Sequence, residues 1–127
     1  RYADLYLDTF IYNAGATASN ALWMGVPVLT MNGNSYSARM ANSLLNSLGL
    51  DELITNSKKD YEDLAFKLST DKEQLNGIKV KLKENLSSKP LFNTNLYTED
   101  FENGLEEVFK NHIAGNAPKN VYVKSKI

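Results

Sequence analysis

The stretch FIYNAGATASNALWMGVPVLT, Phe10–Thr30, decides the fold. Two apolar runs flank a cluster of small residues, Asn13-Ala14-Gly15-Ala16-Thr17-Ala18-Ser19, which leads directly into Trp23. Working backwards, the imperfect alternation of ADLYLDTF, Ala3–Phe10, predicts a strand. Working forwards, Thr17–Met24 predicts a short helix closed by Gly25, and Val26–Thr30 a β-branched strand with Pro27 at its start, where no central ladder bond is lost. Strand, small-residue turn, helix and strand form the repeating unit of a parallel sheet.

The rest of the chain extends this alternation and then becomes helical. Asn32–Ser35 reads as a loop, Ser37–Leu48 as a helix ended by Gly49, and Leu53–Thr55 as a very short strand. Ser57 with Asp60 forms a capping box before a helix burying Tyr61, Leu64, Ala65 and Leu68. Thr70 with Glu73 forms a second, before a helix carrying Leu75, Ile78, Leu82 and Leu86 and stopped by Pro90. Thr98 is expected to cap a last helix with Phe101, Leu105, Val108 and Phe109 inward. The reading is therefore an α/β, Rossmann-like parallel sheet with a helix-rich C-terminal half. Its expected domain is 1–117, followed by a mobile tail, 118–127.

Composition narrows the function. The 127 residues are 43% hydrophobic and 23% charged, as in an ordinary globular domain, and the net charge is -1. That charge argues against nucleic acid or an anionic membrane as partner, and Lys79, Lys81 and Lys83 read as a solvated helix face. Without cysteine there is no disulfide or thiolate metal site, which suits the cytoplasm. No apolar run of about 18 residues is present. The chain starts at Arg1 without Met and turns apolar almost at once, so it reads as a piece of something longer.

In open parallel sheets, ligands sit at the carboxyl ends of the strands. Asn13–Ala16 lies at such an end and runs into a helix N-terminus, whose free amides and dipole favour an anion. Gly15, Ala16, Thr17 and Ala18 are thus candidates to hold a diphosphate, with Asn20 one turn on to reach a ribose hydroxyl. Asn13, Asn34, Ser35 and Arg39 are candidates to line the cleft, although a structural ion pair is the favoured reading for Arg39. A second reading stays open on the residues alone: small residues permit a tight turn, with Thr17 merely capping the helix. Neither the P-loop nor the Gly-x-Gly-x-x-Gly spacing is present. Trp23 and Met24 are expected in the core. Asp8 is expected as a structural hydrogen-bond acceptor, and His112, the single histidine, as a cation near a helix C-terminus rather than a base.

Several ordered blocks carry a resemblance: YNAGATASNALWMGVPVLT, SARMANSLLNSLGLDELI, DYEDLAFKL, SSKPLFNTNLYT and the closing AGNAP. Together they resemble the C-terminal catalytic region of O-GlcNAc transferase and SPINDLY-type glycosyltransferases over roughly Ala3 to Pro118. The resemblance implies the C-terminal part of a GT-B enzyme. Such an enzyme transfers sugar from a nucleotide-diphosphate donor to Ser or Thr of a protein acceptor that is bound upstream, without a metal or other cofactor. UDP-GlcNAc is the commonest donor and GDP-fucose that of the SPINDLY branch. Thr17 matches the family's second loop threonine. Ala16 stands where the first is usual, Gly15 where some members have histidine, and Asn20 where aspartate usually holds the ribose. Those departures leave a second possibility, a non-catalytic nucleotide-binding or interaction module derived from such an enzyme. The chain alone is expected to be inactive.

Overall fold

The computed structural model describes residues 2–124. These fall into two compact units, Arg1–Leu91 and Phe92–Ile127, so the chain divides earlier than the boundary after residue 117 expected from sequence.

In the first unit, strand β1 (Tyr6–Leu7) leads to helix α1 (Ala16–Trp23), and strand β2 (Val28–Met31) follows. A 3₁₀ turn, Ser37–Arg39, opens helix α2 (Met40–Ser47). Another, Asp51–Leu53, precedes strand β3 (Ile54–Thr55), and helices α3 (Lys58–Thr70) and α4 (Lys72–Ser88) complete the unit. The sheet is parallel throughout, in the order β1-β2-β3, with Tyr6 opposite Val28 and Thr30 opposite Ile54. Strand β2 is central, and Val28, Leu29 and Thr30 are fully buried, as a strand covered on both faces requires. Helices α1, α2 and α3 all pack on it, while α1 also meets α2 and α3 meets α4. Leu22, Leu45, Leu48, Leu53, Leu68 and Leu82 close the core.

Local chemistry explains the boundaries. Gly25, at φ 73°, takes the left-handed turn that ends α1 and lets Val26 N donate back to Ala21 O at 2.8 Å. Ser57 caps α3 as expected, its Oγ accepting from Asp60 N. The cap of α4 is Asp71, which accepts from Gln74 N at 2.9 Å; Thr70 instead finishes α3, bonding back to Phe66 O. Strand β1 is far shorter than Ala3–Phe10, because its last ladder bond is Asp8 N to Leu29 O, after which the Asp8 carboxylate and not a strand partner takes up the amides of Thr9 and Ala14. Trp23 and Met24 are exposed, at 60% and 69%, rather than in the core. At the last turn of α1 the inward face is already filled by Ala18 and Leu22. Two of the α4 lysines are paired rather than free, Lys79 with Asp4 and Lys81 with Glu52.

The second unit is helix α5 (Thr94–Ile113) with the segment after it. Asn93, not Thr98, caps α5, accepting from Leu96 N at 3.0 Å; Thr98 bonds to Thr94 O one turn inside. Phe101, Leu105, Val108 and Phe109 form the expected stripe but are exposed, each by more than half. Periodicity fixes which residues share a face, and is silent on what covers it. The segment expected as a mobile tail lies against α5 in its described part: Val121 and Val123 border a shallow crease with Phe101, Gly104, Leu105 and Val108. Residues 125–127 of that expected tail lie outside the described residues.

Candidate functional site

The loop between β1 and α1 is built around one buried carboxylate. Asp8 directly follows β1, its amide donating to Leu29 O at 3.0 Å. Its Oδ1 accepts from both ends of the loop, Thr9 N at 2.9 Å and Ala14 N at 2.7 Å. Its Oδ2 accepts from Thr30 Oγ1 at 2.6 Å, and its carbonyl from the Tyr61 hydroxyl at 2.9 Å. The structural role expected of Asp8 is thus realised. No cation among the described residues pairs with it, so neutral donors alone offset the desolvation of this charge. Burial pushes the Tyr61 pKa up, and the negative charge of Asp8 and then Tyr6 add to the shift. The Tyr61 ring also meets Phe10 edge-on at 4.9 Å.

Within the loop, Asn13 is fully buried, so its side chain does not line an open cleft. Its Nδ2 donates to Thr9 O at 2.7 Å and its amide to Ser37 O at 3.0 Å, while Oδ1 is buried without a partner. Ile11 and Tyr12 point outward, although the apolar run they belong to reads as buried.

Helix α1 begins at Ala16, with Gly15 in the cap position and no side-chain cap. This removes the reading in which Thr17 is a cap: it already lies in the first turn. The first intrahelical bond runs from Ser19 N to Gly15 O, so the amides of Ala16, Thr17 and Ala18 have no helical acceptor. No acidic side chain sits in that turn to balance the dipole. Ala16 and Thr17 are exposed, whereas Ala18 is fully buried and offers a ligand no surface. The Thr17 hydroxyl lies 3.4 Å from that of Tyr6, and Asn20 is exposed one turn further on. What remains is two amides without a cap on exposed residues, one hydroxyl and one amide side chain along one helix start.

The loop after β2 reaches the same edge of the sheet. Besides the Asn13–Ser37 bond, Met40 lies so close to Gly15 that a Cβ there would come within 3.0 Å of its Cε. Asn34 and Ser35 are exposed, but the Ser35 hydroxyl is engaged, accepting from Ala38 N and meeting Ser37 Oγ. Arg39 is exposed and forms no ion pair among the described residues, against the structural pairing favoured from sequence. Two sizeable clefts, of about 580 and 430 Å³, lie at the opposite edge, around Asp4, Asn76 and Lys79 and around Trp23 and Lys83. Among the described residues no group of His, Asp or Glu is placed to hold a metal ion, and no helix is long and apolar enough to cross a membrane.

The sequence profile of glycosyl transferase family 41 matches residues 1–101, four fifths of the chain and all of the first unit. The chain belongs to glycosyl transferase family 41. A relative named UDP-N-acetylglucosamine--peptide N-acetylglucosaminyltransferase, from Caenorhabditis elegans, is 34% identical over 113 residues, which are 89% of this chain and 10% of that protein. The probable SPINDLY enzyme of Petunia hybrida is 30% identical over 115 residues, 91% of this chain and 12% of that protein. The chain therefore spans about a tenth of the length of these curated relatives. Among solved structures, a mutant of Thermobaculum terrenum O-GlcNAc transferase superposes with a TM-score of 0.64 at 39% identity, covering 67% of this chain and 16% of that one. Fold and family thus agree with the expected parallel α/β region of an O-GlcNAc transferase-like glycosyltransferase. The family 41 match stops inside α5, so most of that helix lies beyond it.

Proposed function

We propose that this family 41 region seats the diphosphate of a nucleotide-sugar donor on the N-terminus of α1, as part of an enzyme that glycosylates Ser or Thr of proteins. The observation that carries the reading is the uncapped start of α1, at the exposed residues Ala16 and Thr17 and with no acidic side chain in its first turn. Such a terminus lowers the energy of a dianionic leaving group as its charge grows, without a metal. Thr17 adds a hydroxyl donor, Asn20 accepts from a ribose hydroxyl, and Arg39 brings a positive charge to the same edge. The relatives' names supply UDP-N-acetylglucosamine as donor and a peptide as acceptor, and we adopt both for this chain. A cytoplasmic location belongs to the same reading. No residue here is assigned as general base, and we expect no sugar transfer to a peptide by the chain alone; turnover by it would overturn that part.

A second reading, a binding module without catalysis, is favoured by Ala16 and Asn20, which lack the hydroxyl and the charge that the family usually places there. A hydrogen bond to a charged group contributes about 1.5–3 kcal/mol, against roughly 1 for a neutral one, so donor affinity is expected to be modest. A backbone-amide titration with UDP, GDP and pyrophosphate tests the proposal. Shifts centred on Gly15–Asn20 support it, and the preferred nucleotide names the donor base. Saturable shifts confined to another part of the chain would refute the placement.

A further inference from the structure

We infer that Asp8 is a positioning residue for the α1 N-terminus, acting through Ala14 and never touching the ligand. The inference rests on the proposed diphosphate seat and deepens it. Gly15, which opens α1, has no side chain with which to fix its own peptide planes, and nothing caps the helix in its place. The Ser19 N to Gly15 O bond fixes the Ala16 amide relative to the rest of α1, so what the residues before Gly15 settle is where that helix start sits against the sheet. Ala14 N is tied to Asp8 Oδ1 at 2.7 Å, and the same oxygen holds Thr9 N, so a single atom closes the loop at both ends.

That atom is itself immobilised from three sides. Oδ2 of the same carboxylate is anchored by Thr30, in the fully buried central strand. The Asp8 amide is anchored on Leu29 and its carbonyl by Tyr61 of α3. Ladder bonding alone would not do this, since β1 has only two residues in register. A carboxylate offers two acceptor oxygens, here one for the two loop amides and one for the Thr30 hydroxyl, where a hydroxyl or a carboxamide offers one, and burying it without a cation is justified only by such a set of donors.

The test uses the 127-residue chain labelled with nitrogen-15, in the wild type, Asp8→Ala, Asp8→Asn and Thr30→Val. Amide exchange at Thr9 and Ala14 is compared with that at core amides such as Leu29 and Leu45. UDP affinity is read at Ala16 and Thr17. Asp8→Ala should speed exchange at Ala14 by about tenfold beyond any change in the core and weaken UDP by about tenfold, the value of one well-placed hydrogen bond. Asp8→Asn keeps an oxygen for the two amides, while its NH₂ donates to the Thr30 hydroxyl, so it should restore both readings to within about threefold. Thr30→Val, which keeps the carboxylate but frees Oδ2, should fall between them and serves if Asp8→Ala does not fold. Equal acceleration at Ala14 and in the core, or an Asp8→Asn variant no better than Asp8→Ala, would reduce Asp8 to a contributor to global stability and overturn the inference. A wild type that holds Ala14 as described but does not bind UDP would refute the diphosphate reading and the functional half of this one together. An Ala14 amide indifferent to Asp8→Ala would refute the Asp8 assignment alone.

Discussion

Adding one methyl group at each of two glycines should have opposite effects. At Gly33, in the β2–α2 loop, a Cβ would sit 2.5 Å from Ala38 Cβ and 3.4 Å from Ala38 O. Carbon atoms pack best at roughly 3.5–4.0 Å, so the loop must open by about 1 Å or more. Ala38 cannot yield as the end of a flexible side chain would: it is buried, and its carbonyl accepts from Gly33 N at 2.9 Å. Overpacking of this kind costs about 1–3 kcal/mol, and Gly33→Ala should sit in the upper half of that range because backbone must move. At Gly77, inside α4, a Cβ meets nothing within 4 Å. Gly77→Ala removes only excess freedom of the unfolded chain and should stabilise by about 0.5–1 kcal/mol. Urea unfolding followed by circular dichroism measures both, with the slope required to stay constant. The neighbour of Ala38, Ser37, accepts from Asn13 N, so the Asn13 amide resonance should move in Gly33→Ala and stay in Gly77→Ala. A Gly33→Ala loss below about 0.5 kcal/mol, with Asn13 unmoved, would refute the rigid closure of this loop that the reasoning needs.

Other outcomes follow from the same contacts. Tyr61→Phe removes the donor to Asp8 O and should cost about 0.5–1.5 kcal/mol in urea unfolding, with extra exchange at Thr9 and Ala14. Because the folded-state pKa of Tyr61 is raised, its contribution is intact below the unfolded value near 10 and is lost as pH rises through the folded one; stability should fall in that alkaline window, and less so in Tyr61→Phe. Asp71→Ala removes the α4 cap and should cost about 1 kcal/mol without disturbing the amides of α1. Ala16→Thr with Asn20→Asp should tighten UDP by about tenfold or more if the seat is as proposed, and an unchanged dissociation constant would favour the non-catalytic module.

Much of the fold was legible because periodicity and punctuation agree. The β-branched run before Thr30 had to be a covered strand, and Gly25 had to end a helix. Caps proved less legible: Thr70 and Asp71, like Asn93 and Thr98, are competing oxygens, and only the geometry chooses between them. Trp23 misled because size and apolarity speak for burial, whereas its place on the last turn of α1 decides exposure. At the site, the uncapped helix start follows from its small residues. That Asp8 is a structural acceptor was legible too, but its partners at Thr30 and Tyr61 were not, since they are 22 and 53 residues away and nothing in a local window announces them.

That 53-residue span has a consequence for the order of assembly. Bringing Tyr61 to Asp8 closes a longer stretch of chain than bringing Thr30 there, at an entropic disadvantage of about 0.8 kcal/mol on the logarithmic scaling of loop closure. The β1–β2 pair can therefore form while α3 is still unattached, and the loop before α1 is completed only when α3 arrives. On that scaling, the loop that leads into the proposed diphosphate seat is expected to gain its last contact late, from a helix that lies well beyond it in the chain.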